Sequence, residues 1–250
     1  MNVLLRSIWA ASGLALALAA CGGSGSSSST LPAQAGSVRV RYGDGAPSLE
    51  ALINGVPQDI GNAYLQVDSK TVVSVFDYGS MTSFLTLSPG VHSLTARDTL
   101  GYAVGPLKTP SLSAGKRYTL IVVGSYPNYR VLAFEEPAAA TNAQLSLYEA
   151  SPASKKAEFG TFAVSSSSNF KELGSANFGS VATVSLGKSV TNTGGYVKPP
   201  NPHATMTPAL IDTFDTKNAL PFHNASRLSL FLFDPKSGSS TGPVVGSLDE

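Results

Sequence analysis

Short runs of alternating apolar and polar residues, each closed by a turn signal, limit what this chain can fold into. In Val38–Tyr42 every second side chain is apolar, as a half-buried β-strand requires. A second run, Leu49–Ile53, is closed by Asn54-Gly55, the dipeptide best suited to the positive φ angles of a tight hairpin. Further strands are predicted at Val72–Phe76, Phe84–Leu87, Ser93–Ala96, Tyr118–Val123 and Val131–Phe134. Short strands at this spacing predict a β-sandwich.

Composition supports an all-β chain that is stabilised by packing alone. The sequence holds 24 Gly and 16 Pro, which favour short strands and frequent turns over long helices. It has a single cysteine, so no internal disulfide can form. The run Leu120–Val123 is apolar on both sides, and we expect it to be a central strand covered on both faces. Pro208–Lys217 is the one segment that could be helical.

The second half of the chain resembles the first. A break at Glu135–Thr141 predicts a boundary between a β-sandwich at residues 37–137 and a second, divergent one at residues 142–250. Three stretches recur in the same order at offsets between 100 and 110 residues, which indicates a tandem duplication with altered loops. The matched pairs are Val38–Tyr42 with Gln144–Tyr148, Asp77–Met81 with Asn177–Val181, and Arg117–Val123 with Arg227–Phe233. Val244–Leu248 is the predicted closing strand of the second copy.

The N-terminal residues have the pattern of an export signal. Arg6 supplies a positive charge, Ile8–Ala20 an apolar stretch, and small residues precede Cys21. Leu18-Ala19-Ala20-Cys21 resembles the lipobox of bacterial lipoproteins, which implies cleavage after residue 20 and lipidation of the Cys21 sulfur. Two or more acyl chains would give a stable anchor without a transmembrane helix. Residues 21–36 then form a Gly/Ser-rich tether, which reaches on the order of 20 Å from the lipid.

Charge and sorting signals point to the cell envelope. Of the 17 Lys and Arg, one lies in residues 1–20, which leaves 16 basic against 16 acidic residues. This balance argues against nucleic acid as a partner, because such binding needs a basic surplus on one face. Gly22 replaces the aspartate that often follows the cysteine of lipoproteins retained in the inner membrane. By resemblance to that sorting rule, we expect an outer-membrane lipoprotein of the bacterial envelope.

The first half also resembles a known family. The stretches that carry the resemblance are Ala46–Gly55, Tyr78–Ser80 with Phe84–Leu87 and Pro89-Gly90, and Leu112–Gly124. They are similar to the DUF4397 family, a domain of unknown function that is common in bacterial envelope and secreted proteins. The resemblance implies an immunoglobulin-like sandwich and carries no known activity, cofactor or site residue.

Candidate binding residues lie in two predicted loops. Tyr126 and Tyr129 flank Pro127-Asn128 at a hairpin tip, where aromatic rings could stack on a sugar or a peptide. Tyr196 and His203 belong to a Gly-rich and Pro-rich stretch that we expect to be a stiff, exposed loop. His92, His203 and His223 do not share a metal-binding spacing. The acidic residues Asp44, Asp59, Asp68 and Asp77 are too scattered for a dedicated calcium loop.

These patterns favour a non-catalytic protein of structural or binding type, without cofactor or metal. Its partner would be an envelope protein or a polysaccharide, in addition to the membrane itself. One alternative is an exported serine hydrolase that uses Ser240 of Gly-x-Ser-x-Gly with His223 and either Asp212 or Asp215. Since this Gly-x-Ser-x-Gly sits among turn residues between strands, a hairpin loop is the better interpretation. A carrier of a small apolar ligand is a further alternative.

Overall fold

The described part of the chain is entirely β-structure. The computed structural model describes residues 36–139, 142–163, 166–187, 193–198, 227–236 and 244–249. These residues form seventeen strands and no helix, which confirms the all-β prediction. Among them, accordingly, no helix has the length and apolar character needed to cross a membrane. The suggested helix at Pro208–Lys217 lies outside the described residues.

The strand order follows the turn signals of the sequence. The first ten strands are β1 Val38–Asp44, β2 Glu50–Ile53, β3 Val56–Asp59, β4 Ala63–Val67, β5 Lys70–Phe76, β6 Leu85–Leu87, β7 Ser93–Arg97, β8 Ala103–Lys108, β9 Arg117–Val123 and β10 Arg130–Glu135. The other seven are β11 Ala143–Glu149, β12 Lys156–Ala163, β13 Ser166–Asn177, β14 Val181–Gly187, β15 Thr193–Lys198, β16 Arg227–Leu232 and β17 Val244–Asp249. Asn54 and Gly55 have φ angles of 54° and 80°, so the predicted β2–β3 hairpin is confirmed.

Strands β1 to β10 form two four-stranded sheets and the β2–β3 hairpin. The first central sheet has the order β10-β9-β1-β6, and the first outer sheet has the order β5-β4-β7-β8. Strands β1 and β9 run parallel, with Val40 opposite Tyr118 and Asp44 opposite Val122. Apolar residues of both sheets meet in one core, to which β1 contributes Val38, Val40 and Tyr42. The alternation in β1 therefore places every second side chain in this core.

Among the described residues, β11 to β17 repeat this plan with seven strands in place of ten. The second central sheet has the order β14-β11-β16-β17, and the second outer sheet has the order β13-β12-β15. In the second central sheet, the middle strands β11 and β16 are again parallel, with Gln144 opposite Arg227 and Glu149 opposite Leu232. Leu145 and Leu147 from β11 pack with Phe159 of β12 in a second core.

The two central sheets also pack against each other. Ile121 and Val123 of β9 share a third core with Tyr148, Phe231 and Phe233 from the second half. The Tyr148 and Phe231 rings stack with their centroids 4.5 Å apart. Strand β9 is thus covered on both faces, as the apolar run Leu120–Val123 predicts, and all described residues belong to one compact unit.

A buried ion network joins the same two sheets beside this third core. The carboxylate of Glu136 accepts hydrogen bonds from Arg41 of β1 (Nη2 to Oε1, 3.0 Å) and from Tyr148 of β11 (Oη to Oε2, 2.6 Å). Arg227 of β16 approaches the Glu136 Oε2 atom to 3.4 Å and donates to the carbonyl oxygens of Pro137 and Ala138. Glu136 falls in the segment where the sequence suggests a boundary, yet its side chain is 1% exposed. One carboxylate thus links residues of both halves.

Candidate functional site

The strand β1 ends at Asp44, next to a tight turn formed by residues 77–80. The Gly79 N–H donates to the Asp44 carbonyl oxygen (2.7 Å), and the Asp44 N–H donates to the Ser80 carbonyl oxygen (3.2 Å). Gly79 has a φ angle of 81°, a conformation that glycine adopts without strain. The Gly45 N–H donates to the Val122 carbonyl oxygen (2.9 Å). These bonds hold the end of β1 between the turn and β9.

The same set of bonds recurs at the end of β11. The Gly179 N–H donates to the Glu149 carbonyl oxygen (2.8 Å), and the Glu149 N–H donates to the Ser180 carbonyl oxygen (3.1 Å). Gly179 has a φ angle of 77°, and the Ala150 N–H donates to the Leu232 carbonyl oxygen (3.1 Å). Glu149 therefore occupies in the second half the position that Asp44 occupies in the first.

The carboxyl groups of these two residues are both buried but differ in their partners. Asp44 is 1% exposed and Glu149 is 0% exposed. The Asp44 Oδ1 atom accepts a hydrogen bond from the Ala46 N–H (3.0 Å), and the Glu149 Oε1 atom accepts the equivalent bond from the Ser151 N–H (3.0 Å). The second oxygen of Glu149 also accepts a bond, from the Ser154 hydroxyl (3.4 Å). Within the described ranges, the second oxygen of Asp44 has no such bond.

Burial makes both groups weak acids. Burial raises the pKa of Asp44 to about 7; the carboxylates of Asp77 and Asp59 act in the same direction, and the Ala46 N–H and Lys236 oppose them. Burial likewise raises the pKa of Glu149 to about 8, against the hydrogen bonds from Ser151 and Ser154. Near neutral pH, each carboxyl therefore exists in both protonation states.

A cavity lies over Asp44. Its volume is about 280 Å³, just below the usual size range of small-molecule sites. The polar side chains that line it include Asp44, Asp59, Asn62, Asp77, Tyr78 and Lys236. The sequence shows these aspartates as scattered residues, and the fold brings three of the four to one cavity. The sequence feature that could have indicated this arrangement is the repeated Gly-Ser turn, which places Asp77 beside the end of β1.

One wall of the cavity comes from the second half of the chain. The Tyr78 hydroxyl donates a hydrogen bond to the Asp234 carbonyl oxygen, and the Lys236 Nζ atom lies 5.0 Å from the centre of the Tyr78 ring. That distance is typical of a cation–π contact. Asp234 is itself held by the Ser151 hydroxyl (2.5 Å) and the Ala153 N–H (2.9 Å). The cavity is therefore completed where the two halves meet.

The fourth aspartate, Asp68, lies elsewhere and pairs with a histidine. Its Oδ2 atom is 2.6 Å from the Nδ1 atom of His92, whose Nε2 atom is 2.9 Å from the Ser88 carbonyl oxygen. The hydrogen bond from His92 lowers the pKa of Asp68, and a backbone bond from Ser93 acts in the same direction. His92 lies just before β7 and is 5% exposed, so the histidine of this pair is buried. No group of three or more His, Cys, Asp or Glu in the described residues is arranged to hold a metal ion.

Of the aromatic residues predicted to bind a partner, two lie at the expected hairpin tip. Tyr126 and Tyr129 stand between β9 and β10, and both are partly buried. The Tyr129 hydroxyl donates to the Ser48 carbonyl oxygen (3.0 Å) and accepts a bond from the Glu50 N–H (2.8 Å). Tyr129 thus fastens this tip to the chain just before β2, and ring stacking by either tyrosine stays a prediction.

Tyr196 lies in strand β15 and not in the predicted loop. It stands opposite Gly160 of β12, and the two preceding glycines also take part in this ladder. The Gly-Gly sequence favours a turn locally, but pairing with β12 overrides that preference. Cys21, His203 and the residues of the hydrolase hypothesis, Ser240, His223, Asp212 and Asp215, lie outside the described residues.

The fold and the cavity define an all-β protein with a small polar site at the end of a parallel strand pair. Residues 48–158 match the model of a family described as Domain of unknown function (DUF4397), which confirms the resemblance seen in the sequence. The matched stretch begins after β1 and ends within β12, so it covers less than half of the chain. Asp59 and Asp77 of the cavity fall inside the match, whereas Asp44 and Lys236 fall outside it. A search of curated proteins found no match.

Proposed function

We propose that this is a lipid-anchored binding protein of the bacterial cell envelope, without catalytic activity, and that the cavity over Asp44 is its binding site. The observation that carries the binding role is the construction of that cavity. A buried carboxyl group lines a cavity on a strand pair that is covered on both faces. Sites on such rigid elements hold their geometry better than sites on loops.

The proposed anchor rests on the sequence around Cys21. An apolar stretch ends in Leu-Ala-Ala-Cys, and a Gly/Ser-rich segment follows it. In this proposal the lipid holds the protein at a membrane, the outer membrane where the cell has one, and the tether gives the folded body clearance from that surface. A partner in the envelope, either a protein or a polysaccharide, would then be within reach.

We further propose that the body consists of two immunoglobulin-like sandwiches that arose by tandem duplication. Each half has a parallel central strand pair, β1 with β9 and β11 with β16. The turn bonds at Asp44 and Glu149 match one for one. Conservation of such local detail is more easily explained by a shared origin than by chance.

The anchor is tested by a Cys21→Ser variant in the native host, with Ser29→Ala in the tether as the matched control. Fractions separated on a density gradient are probed for the protein after metabolic labelling with an alkynyl fatty acid. We expect label and membrane association in the wild type and in Ser29→Ala, and neither in Cys21→Ser. An unlabelled protein, or a Cys21→Ser variant that still sediments with membranes, would contradict the anchor.

The binding role is tested by photo-crosslinking in intact cells. A photoreactive amino acid replaces Asn62 at the cavity or, as the control, Leu100, which is 80% exposed and does not line it. We expect a mass-shifted product that is specific to position 62. The same products at both positions, or none at position 62, would contradict a binding site at the cavity. The hydrolase alternative predicts instead that Ser240→Ala abolishes turnover of a chromogenic ester.

A further inference from the structure

We propose that the cavity over Asp44 binds a small organic ammonium ion, such as the protonated amine of an amino compound, with Asp44 as the buried ion-pair partner. This inference rests on the proposed binding role and names the class of ligand. It depends on three features of the described residues. The first is the Asp44 oxygen that accepts no hydrogen bond within the described ranges, and the second is the charge of the cavity lining. The third is the contact between the Lys236 ammonium group and the Tyr78 ring.

The two halves differ at the position where a ligand would bind. In the second half, the protein itself supplies partners for both Glu149 oxygens, Ser151 for one and Ser154 for the other. In the first half, Asp44 is 1% exposed and only one of its oxygens has a hydrogen bond within the described ranges. Because Asp44 lines the cavity, a ligand there is within reach of this second oxygen, and a donor on the ligand would add a charge-assisted hydrogen bond. The ligand's N–H groups would supply the donors that the second half supplies from its own chain.

The charge of the lining favours a cation. Asp59 and Asp77 line the cavity together with Asp44, and Lys236 is the one basic residue among the lining residues that the structure describes. With Asp44 ionised, these side chains carry three negative charges and one positive charge. An anion would therefore meet a net repulsive lining, whereas a cation would be attracted to it.

The lining already accommodates an ammonium group. The Lys236 Nζ atom lies 5.0 Å from the centre of the Tyr78 ring, and the Tyr78 hydroxyl is fixed by its bond to the Asp234 carbonyl oxygen. An alkylammonium ion combines hydrogen bonds to carboxylates with contact to aromatic faces, which is the chemistry found here. The volume of about 280 Å³ limits the ligand to a compact molecule.

Three four-carbon compounds separate charge from size in a calorimetric titration. The probes are 1,4-diaminobutane, butane-1,4-diol and succinate, and the titrand is the full mature protein in detergent micelles at about pH 8. We expect saturable binding of the diamine and none of the other two. The proposal is overturned if the diol or succinate binds as tightly as the diamine, or if no diamine binding occurs up to about 10 mM. It is also overturned if CaCl₂ displaces the diamine when the CaCl₂ concentration is only about a tenth of the diamine concentration.

Substitutions locate the site. Asp44→Asn keeps the size of the side chain and its acceptor for the Ala46 N–H, and we expect it to weaken diamine binding at least about tenfold. Asp77→Asn serves as a second cavity variant that leaves Asp44 unchanged, and we expect a loss of about two- to tenfold. Glu135→Gln, on the exposed side chain that pairs with Lys116, is the control and should bind like the wild type. Unchanged affinity in both cavity variants would refute the proposal.

The pH dependence gives an independent readout. Asp77, Asp59 and Lys236 are the charged groups that act on Asp44. Because burial raises the pKa of Asp44 to about 7, diamine binding to the wild type should strengthen between about pH 6 and pH 8 and change much less in Asp44→Asn. A flat wild-type profile would overturn the role of Asp44. If position 62 still crosslinks a specific partner while the diamine does not bind, only the ligand class fails and the binding site stands.

Discussion

Arg41 and Glu136 form a buried ion pair, with the Arg41 Nη2 atom 3.0 Å from the Glu136 Oε1 atom and the two side chains 2% and 1% exposed. Glu136 also receives bonds from Tyr148 and Arg227 of the second half. The segment whose composition suggests a boundary therefore supplies the carboxylate between the two central sheets. A charge so deeply buried is tolerated only while its partners remain in place.

Removal of the Glu136 charge should be strongly destabilising. Glu136→Gln leaves Arg41 and Arg227 without their shared carboxylate, and we expect the free energy of unfolding to fall by about 3–5 kcal/mol. The neighbouring Glu135→Gln variant is a matched control, because Glu135 and its partner Lys116 are each 51% exposed and water screens their attraction, so the loss of stability should be much smaller. Chemical denaturation of both variants measures the difference. Equal losses would contradict the buried role of Glu136.

The contact between the central sheets can be tested at Gly45. A Cβ atom at this position would lie 2.7 Å from the Phe233 Cδ1 atom and 3.0 Å from the Ile121 Cγ2 atom. Gly45→Ala should therefore reduce stability by about 1–3 kcal/mol through overpacking. Phe233→Leu shortens the opposing side chain, so the double variant should lose less than the sum of the two single losses. Strict additivity in thermal unfolding would show that the two positions do not touch.

Glu149 should make the protein less stable as the pH rises. Its folded-state pKa of about 8 lies above the ordinary value of 4.5, so its contribution is fully present below about pH 4 and is lost as the pH rises through 8. Glu149→Gln removes this titration. The free energy of unfolding of the variant, relative to that of the wild type, should therefore rise by up to roughly 4 kcal/mol between about pH 5 and pH 9. Denaturation at several pH values measures this difference, with the exposed Glu172→Gln as the control. A constant difference would refute the expectation.

Asp68 should act in the opposite direction. Its pKa is lowered, first by the hydrogen bond from His92, so its stabilising contribution is present above the unfolded-state pKa and lost as the pH falls through the folded-state value. Since the Asp68 side chain is 56% exposed, Asp68→Asn should cost about 1 kcal/mol or less at neutral pH and nothing in strong acid. Nuclear magnetic resonance titration of the Asp68 carboxyl group in the wild type and in His92→Gln checks the coupling. An unchanged Asp68 titration in His92→Gln would contradict it.

Local patterns recovered most of the strands that bury a face. All seven strands predicted in the first half occur, and Leu120–Val123 is covered on both faces as expected. Strand β4 was missed although Ala63, Leu65 and Val67 alternate with polar residues, so its signal was present. Strands β3 and β8 carry little such signal, because every residue of β3 is exposed and β8 contains Gly105-Pro106. Their pairing with neighbouring strands overrides weak local preference.

The sequence alone determined the all-β class, the hairpin turns and the DUF4397 resemblance, because alternation and turn chemistry act between residues that are close in the chain. Only the tertiary structure decided that β9 and β16 lie on one shared core, that Glu136 is buried between Arg41 and Arg227, and that Asp44, Asp59 and Asp77 line one cavity. These relationships join residues far apart in sequence. They depend on how sheets stack, which no local pattern encodes.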